Sequence, residues 1–276
     1  MIELCGETHF ETIDLYGFFV LFFCHINIYV NSVILKSCTY NCSLIRETTY
    51  SDSQKLSEES KELLKCMQRE EPPPDATILC CLNRNVALYN AIALSKLSGR
   101  RKVYVSKDTG CKKLLMGLTS AEKELALKLG APVIITVNLP NVPNGTRAYV
   151  VGLDNENVTV KLENGALLNI KKFLFHCNSP TQSATRFQFP LKLAWSLTIH
   201  RAQGQTLRKV HIDCEGLFLP AMLPVALSRV RSSQDVTISN LDLSSIQPVP
   251  DVVRRWINGE DVSEEASSDT MEVSCY

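Results

Sequence analysis

The sequence has no net charge, so charge balance does not indicate a class of binding partner. Its 29 basic and 29 acidic residues cancel to a formal charge of +0. A strongly basic balance would indicate nucleic acid, and a high net charge with few hydrophobic residues would indicate disorder. Neither applies, because 45% of the residues are hydrophobic and 21% are charged, as in an ordinary globular protein. A chain of 276 residues is long enough for one or two domains with a core.

The sequence also lacks the cysteine spacing of a metal site. It holds 11 cysteines, but none forms a CxxC pair and no histidine stands at zinc-ligand spacing from one. Scattered single cysteines are typical of small buried side chains in a reducing compartment. We therefore predict no metal site. A reducing compartment favours the nucleus, with the mitochondrion or cytoplasm as alternatives.

A third absence concerns nucleotide chemistry. No glycine is followed by lysine, so the pattern G-x-x-x-x-G-K-[ST] does not occur. That loop supplies backbone amides that hold phosphates, a lysine for the β- and γ-phosphates and a hydroxyl for Mg²⁺. The sequence alone therefore offers no phosphate-binding loop.

The two ends of the chain differ from its middle. Residues 1–56 form an unassigned hydrophobic segment, in which residues 15–35 carry no charge and are just long enough to span a bilayer. Polar residues within that stretch and an acidic flank before it weaken a membrane interpretation. A buried strand–turn–strand, or sequence left by truncation, is favoured instead. Residues 244–276 form an acidic tail that is predicted to be disordered.

The middle of the chain alternates helix and strand patterns. Residues 57–68 have helical spacing, residues 76–82 form a short apolar run typical of a buried strand, and residues 85–97 form an amphipathic helix. This order indicates an α/β domain. A basic segment follows, which is either solvated surface or a contact for a phosphate backbone. Its members are Lys96, Arg100, Arg101, Lys102, Lys107, Lys112 and Lys113.

Short strands separated by turns then interrupt the α/β pattern. Residues 148–151, 158–162 and 167–170 have strand character, and Glu163-Asn164-Gly165 is a hairpin turn. They predict a small antiparallel barrel over residues 138–183. The α/β domain would then consist of residues 57–137 and 184–243.

Two polar clusters follow the predicted barrel. Apolar residues alternate without a break over residues 191–199, which predicts one strand. Ligands bind at the carboxyl edge of open α/β sheets, and hydroxyl, imidazole, amide and backbone N–H groups suit phosphate oxygens. A loop whose polar groups satisfy one another is the alternative. The residues of this first cluster are Thr198, His200, Arg201, Gln203 and Gly204.

The second cluster lies in a helix predicted over residues 223–231. Val225, Leu227 and Val230 are expected to pack, while Arg229 projects. An arginine on a rigid helix at a domain edge can stabilise charge on the γ-phosphate of a nucleotide. An ordinary surface arginine is the alternative. A closing strand is predicted at residues 236–239.

Together the clusters resemble motifs V and VI of the petite-integration-frequency (Pif) and RecD-like helicases of superfamily 1. Residues 194–207 follow the family pattern A-W/Y-A-L-T-I-H-K-S-Q-G-x-T-L, and residues 225–232 follow V-A-L-S-R-V-R-S. Residues 79–90 resemble motif IV, and residues 130–150 resemble the entry to the family's inserted Src-homology-3-like barrel. The resemblance covers residues 57–243. It implies an α/β fold: a second RecA-like, P-loop NTPase-type helicase domain interrupted by that small β-barrel.

The resemblance assigns roles to individual residues. Arg229 matches the catalytic arginine finger, and with Gly204 and Gln203 it would bind nucleotide. DNA binding would fall to Thr198, His200, Arg201 and Gln203. This sequence departs from the family at Arg201, where lysine is usual, and at Ala202, where serine is usual. Residues 221–224 also replace a common Gly-Gln-x-Tyr.

The resemblance implies ATP-dependent, 5′-to-3′ DNA unwinding of the repair, replication or recombination type. ATP and Mg²⁺ are the family's cofactors, and single-stranded or forked DNA is its partner. The likeness is to the C-terminal half, without the phosphate-binding loop. We therefore expect this chain alone to bind ATP unproductively and to be inactive unless a first RecA-like domain acts in trans. The alternatives are a non-catalytic single-stranded nucleic-acid-binding module or transposon-derived helicase remnant, and a membrane-anchored protein using residues 15–35.

Overall fold

The computed structural model describes residues 58–118, 120–217 and 222–243. The hydrophobic stretch at residues 15–35 and the acidic tail at residues 244–276 lie outside these ranges. Among the described residues, no helix has both the length and the apolar character needed to cross a membrane.

Four parallel strands form one sheet within the described residues. Their spatial order is β12 (Ser196–Thr198), β1 (Thr77–Cys80), β13 (Val210–Asp213) and β14 (Val236–Ser239). Every residue of β1 and β13 is buried, as expected for parallel strands covered on both faces. The helices of this region are α1 (Glu58–Cys66), α2 (Asn83–Lys96) and α4 (Met222–Leu227). The parallel sheet with its helices confirms the predicted α/β class.

The chain between α2 and β12 forms antiparallel sheets around a second core. A five-stranded sheet has the order β11 (Leu191–Leu193), β5 (Pro132–Ile135), β6 (Arg147–Leu153), β7 (Asn157–Leu162) and β8 (Leu167–Lys171). A three-stranded sheet has the order β3 (Lys107–Gly110), β10 (Ser183–Gln188) and β9 (Phe173–Asn178), and helix α3 (Lys112–Leu118) contacts β9 and β10. The remaining pair is β2 (Lys102–Val105) with β4 (Glu124–Leu127).

The hairpin predicted at Glu163-Asn164-Gly165 is present between β7 and β8. Gly165 has φ +87°, a left-handed conformation that side chains with a Cβ rarely adopt. The predicted boundaries at residues 138 and 184 cut across the five-stranded sheet, because β5 and β11 come from the flanking segments and β5 pairs with both β6 and β11. The division into domains stays a prediction.

The prediction of one unbroken strand over residues 191–199 is wrong. β11 pairs antiparallel with β5, whereas β12 pairs parallel with β1. The change of sheet takes place at Ala194 and Trp195, whose backbone groups bond to Pro132 O (2.9 Å) and Ile78 N (2.9 Å). The apolar alternation continues across this point because each sheet has its own core to fill.

Candidate functional site

The carboxyl end of β12 begins the site. The Thr198 hydroxyl accepts a hydrogen bond from Arg201 N at 3.4 Å and caps a 3-10 turn, Ile199–Ala202. Ile199 and Ala202 are buried and anchor the turn, while His200 and Arg201 are exposed. Partial desolvation of the His200 imidazole lowers its pKa. The turn therefore presents two polar side chains at the edge of the parallel sheet.

A buried amide holds β12 in place. Asn90 Nδ2 donates to Ser196 O at 3.0 Å, and Ser196 N donates to Asn90 Oδ1 at 3.0 Å. β12 is an edge strand, so the outward backbone groups of Ser196 have no neighbouring strand to bond. Asn90 on helix α2 supplies both partners and so fixes the strand that ends at Thr198.

A groove of about 920 Å³ lies beside this strand, between α2 and the antiparallel strands β4 and β11. Thr198 lines it. Among its charged lining residues, four cations outnumber two carboxylates. The cations are Arg101, Lys128, Lys192 and Arg201, and the carboxylates are Glu122 and Glu124. Such a balance favours an anionic occupant.

The charges in the groove affect each other's titration. Burial and, to a lesser extent, nearby Arg201 lower the pKa of Lys192 to about 8, and Glu122 opposes both effects. Burial raises the pKa of Glu122, and Lys192 and Arg201 limit that rise. A phosphate placed beside Lys192 would stabilise its charged form, because a nearby opposite charge offsets the loss of water.

The loop after the 3-10 turn reverses direction at an exposed glycine. Gly204 has φ +75° and no atom lies within 4 Å of the position that a Cβ would take. The left-handed backbone favours glycine there, and its N–H lies on an open surface. Gln205 Nε2 donates back to Arg201 O at 2.9 Å, which ties the two ends of the loop together.

The same loop bonds directly to Arg229. Leu207 N donates to Arg229 O at 2.7 Å, and Arg229 Nη1 donates to Gln205 O at 3.5 Å. The chain that borders the groove at Thr198 and Arg201 therefore reaches Arg229 within ten residues of sequence. The two predicted clusters form one connected structure.

The prediction that Arg229 projects from a helix over residues 223–231 is wrong. α4 ends at Leu227, and Arg229 lies beyond it, 5% exposed. The helical bonding pattern stops at Arg229, whose N–H donates to Ala226 O at 3.1 Å, while Ser228 Oγ and Arg229 Nε donate to Val225 O at 2.8 and 3.0 Å. Burial lowers the pKa of Arg229 to about 10, so the guanidinium stays charged at neutral pH.

Comparison with known proteins gives sequence relatives of one kind. No family model matches the chain. The ATP-dependent DNA helicase PIF1 of zebrafish (Danio rerio) is 33% identical over 187 residues, which cover 64% of this chain and 29% of that protein. The human (Homo sapiens) PIF1 is also 33% identical, over 195 residues. The Pif1 of Bdellovibrio bacteriovorus is 30% identical over 207 residues, covering 72% of this chain and 47% of that protein.

Solved structures of the same kind share the fold. Pif1 helicase from Candida albicans matches 80% of this chain with a TM-score of 0.68 and 24% identity, and 57% of that chain is covered. Bacteroides Pif1 bound to ssDNA matches 75% with a TM-score of 0.61 and 22% identity, and 50% of that chain is covered. The chain is a Pif1-like superfamily 1 helicase segment. It spans between 29% and 47% of the curated relatives named above.

Only some of the predicted site residues of this Pif1-like segment lie in the groove. The α/β, RecA-like fold class is confirmed. Thr198 and Arg201 line the groove, but His200, Gln203 and Gly204 are outside its lining. Arg229 stands at the far end of the same loop. The DNA, nucleotide and catalytic roles of these residues stay predictions.

Arg101 belongs to the basic segment that was predicted as a possible phosphate contact, but sequence reasoning missed four other charged residues of the groove: Lys128, Glu122, Glu124 and Lys192. A signal existed for Lys192, which is the polar residue between Leu191 and Leu193, so the strand alternation places it on the face opposite those leucines. The other three come from separate turns and strands, and only the antiparallel sheet brings them beside β12.

Two smaller features of the Pif1-like segment bear on its chemistry. Pro224, which replaces part of the family's Gly-Gln-x-Tyr, is the third residue of α4. A proline is tolerated there because backbone N–H groups in a first helical turn have no partner within the helix. Within residues 58–118, 120–217 and 222–243, no group of three or more His, Cys, Asp or Glu side chains is arranged to hold a metal.

Proposed function

We propose that this chain is the DNA-gripping second RecA-like domain of an ATP-dependent, 5′-to-3′ DNA helicase. One observation carries the proposal. The loop that brings Thr198 and Arg201 to a cationic groove is hydrogen-bonded at its other end to Arg229. A change at a nucleotide beside Arg229 would therefore reach the groove through a short, directly bonded path.

The proposed partner is single-stranded or forked DNA. Phosphates would meet Arg201 and Lys192, and the hydroxyl and backbone groups around Thr198 would orient the strand. The known relatives support this choice, since Bacteroides Pif1 has been solved bound to ssDNA and two Pif1 helicases have been described at forked dsDNA. A groove of this charge suits the backbone of any single strand without reading its sequence.

The loop that leads to Arg229 carries groups suited to phosphate oxygens, namely the amide of Gln203 and the backbone at Gly204. The Arg229 guanidinium is 5% exposed and donates to Val225 O, Gln205 O and Ser228 Oγ, so it would have to exchange these partners to meet a phosphate. Bacteroides Pif1 has been solved with ADP-AlF4, a nucleotide complex of that relative. ATP with Mg²⁺ would supply energy through hydrolysis. A first RecA-like domain, in trans for this chain, would have to supply the loop for the other phosphate contacts, the β/γ-phosphate lysine and the Mg²⁺ hydroxyl.

DNA binding by the groove is tested with the purified chain and a fluorescent oligothymidylate, measured by anisotropy over a salt series. Replacing Arg201 by Ala should weaken binding several-fold and reduce the slope of log affinity against log salt by about one. Arg208→Ala is the matched control, because Arg208 is equally exposed seven residues along but does not line the groove. Equal losses in both variants would contradict the proposal.

A non-catalytic single-stranded nucleic-acid-binding module is the second candidate. It is favoured by the absence of a Gly-Lys pair anywhere in the sequence. The candidates separate when the chain is mixed with an isolated first RecA-like domain of a Pif1 relative. DNA-stimulated ATP hydrolysis that depends on Arg229 supports the helicase domain, whereas DNA binding without hydrolysis supports the module.

We also propose a nuclear location, with mitochondrion and cytoplasm as alternatives. The described cysteines Cys66, Cys80, Cys81, Cys111, Cys177 and Cys214 are all free thiols, which suits a reducing compartment. Fluorescence microscopy of the tagged chain beside nuclear and mitochondrial markers tests the location.

A further inference from the structure

One face of the three-stranded sheet is open to solvent and carries an unusual set of side chains. Strand register aligns them in rows across β3, β10 and β9. Phe187 lies between Lys107 and Leu174, and Thr185 lies between Thr109 and His176. Ser183 pairs with Asn178 to complete the face. We call these eight residues the platform: Lys107, Thr109, Leu174, His176, Asn178, Ser183, Thr185 and Phe187.

Packing does not account for the platform. The opposite face of the same sheet holds the core contacts, where Leu115 of α3 meets Cys177 and Ala184. It also holds the buried ion pair between Arg186 Nη2 and Asp108 Oδ2 at 2.8 Å. The platform side chains point away from this core, and Phe187 and Leu174 leave 37% and 42% of their surfaces in water. Phe187 and Leu174 are directly paired across β10 and β9, so they form one small contiguous apolar patch rather than two scattered residues.

We propose that the platform binds single-stranded DNA by stacking bases on Phe187 and His176. The site is distinct from the groove, none of whose lining residues belongs to the platform. It rests on the proposed function only in the choice of DNA as ligand. His176 lies two positions along β9 from the partner of Phe187, so the two residues occupy diagonal positions of the sheet, about 7–8 Å apart by backbone geometry. Two bases of one strand could occupy them together.

The chemistry of the platform favours a single strand over other occupants. Flat rings stack on any base, and hydroxyl and amide groups bond base edges and phosphates. None of the eight residues is acidic, and Lys107 supplies a positive charge directly beside Phe187. A protein partner would favour a larger, less interrupted apolar area.

The hydroxyl row shows that the platform retains hydrogen-bonding capacity. Thr109 Oγ1 and Thr185 Oγ1 lie 2.6 Å apart and share one hydrogen bond. Each hydroxyl has one donor and two acceptor positions, so the pair keeps further positions for a ligand. These groups lie in the row next to Phe187, where the edge of a stacked base would face them.

The test uses the full chain and a fluorescent single-stranded oligonucleotide, with affinity measured by anisotropy. Phe187→Ala should weaken binding about 10-fold, as expected for loss of one base–aromatic contact. Phe187→Tyr keeps the ring and should bind within about twofold of the unchanged chain, by the same reasoning. The matched control is Leu167→Ala, because Leu167 is 67% exposed on β8 and lies outside the platform. Circular dichroism and thermal unfolding verify that each variant is folded.

Position is tested separately by photo-crosslinking an oligonucleotide that carries 5-bromodeoxyuridine and mapping the attached peptides. Crosslinks within residues 173–188 are expected. If Phe187→Ala binds normally while Arg201→Ala is weakened, the platform proposal fails and the groove stands. If no variant alters binding, both proposals fail. If Phe187→Ala weakens binding of duplex DNA as much as binding of single-stranded DNA, base stacking is excluded. If Phe187→Ala changes the oligomeric state but not the DNA affinity, the face is a self-association surface instead.

Discussion

Asn90 shows, at the scale of one residue, how an amide positions a functional strand. Replacing Asn90 by Ala would leave Ser196 N and O without hydrogen-bond partners at a buried sheet edge. Each orphaned buried group costs roughly 1–3 kcal/mol, so we expect a loss of about 2–4 kcal/mol in the free energy of unfolding. Urea denaturation measures this loss of unfolding free energy. Asn83→Ala, on an exposed residue of the same helix, is the control and should change little. Equal stability of the two variants would refute this role.

Lys192 makes DNA binding sensitive to pH. Its pKa of about 8 means that the side chain is charged at neutral pH and becomes neutral as pH rises through that value. Attraction for phosphate is therefore present below about pH 8 and is lost above it. We expect single-strand affinity to fall between about pH 7 and about pH 9. A Lys192→Arg variant, whose guanidinium stays charged, should bind with a flatter pH profile, and identical profiles would exclude Lys192 as the cause.

At the scale of the element, a buried histidine joins β13 to β14. His211 is 0% exposed, with Nδ1 2.9 Å from Thr237 Oγ1 and Nε2 2.9 Å from Ser239 Oγ. Desolvation lowers the pKa of His211, and Asp213 partly opposes this effect. The unfolded chain therefore binds this proton more readily than the folded chain does. The stability that His211 contributes is present above about pH 6.5 and decreases as pH falls below it.

The pH dependence gives a measurable expectation for this pair of strands. The thermal midpoint should decrease from about pH 7 to about pH 5, and His211→Gln should reduce that decrease because its side chain does not titrate there. His176→Gln is the control, since His176 is exposed on β9. The explanation fails if the His211 variant keeps the full pH dependence.

The sequence predicts those strands whose own pattern of apolar and polar residues shows which side chains are buried. β1 is apolar after Thr77, β13 has apolar residues at Val210 and Ile212, and the β7–β8 hairpin has both alternation and a turn signal. In contrast, β3 reads Lys-Asp-Thr-Gly and has no apolar residue to mark it as a strand. β3 is a strand because it pairs with β10, where Thr109 faces Thr185, a residue 76 positions later in the sequence. Local periodicity cannot predict a pairing between such distant residues.

The sequence predicts the loop of the site, but it does not predict most of the other residues that line the groove. Thr198 and Arg201 are adjacent in sequence to the strand end that positions them, so a local motif is sufficient to locate them. Lys192 and Glu122 are brought together by the contact between β11 and β4, and they lie beside β12 because the chain changes sheets at Ala194, a step that the unbroken alternation concealed. The burial of Arg229 was missed for a related reason, since the helical bonding pattern stops earlier than periodicity indicates.

At the scale of the whole molecule, the two cores meet where β11 leads into β12. Arg147 at the start of β6 donates from Nη2 to Ala194 O at 3.1 Å, and burial lowers its pKa. The antiparallel region is thus bonded to the backbone that continues into the groove and the Arg229 loop. DNA contacts on the antiparallel sheets and contacts at the groove would act on one continuous segment of chain.

ATP hydrolysis by the purified chain tests what this connected structure can do by itself. Most contacts that hold and polarise ATP phosphates in such enzymes come from the loop that this sequence lacks, so Arg229 would have no aligned phosphate to stabilise. We therefore expect the purified chain to hydrolyse ATP no faster than a protein-free control, with or without single-stranded DNA, in a phosphate-release assay. Arg229→Ala serves as the comparison. A DNA-stimulated rate that disappears in Arg229→Ala would show that the chain builds a complete ATP site, and the need for a first domain would then be wrong.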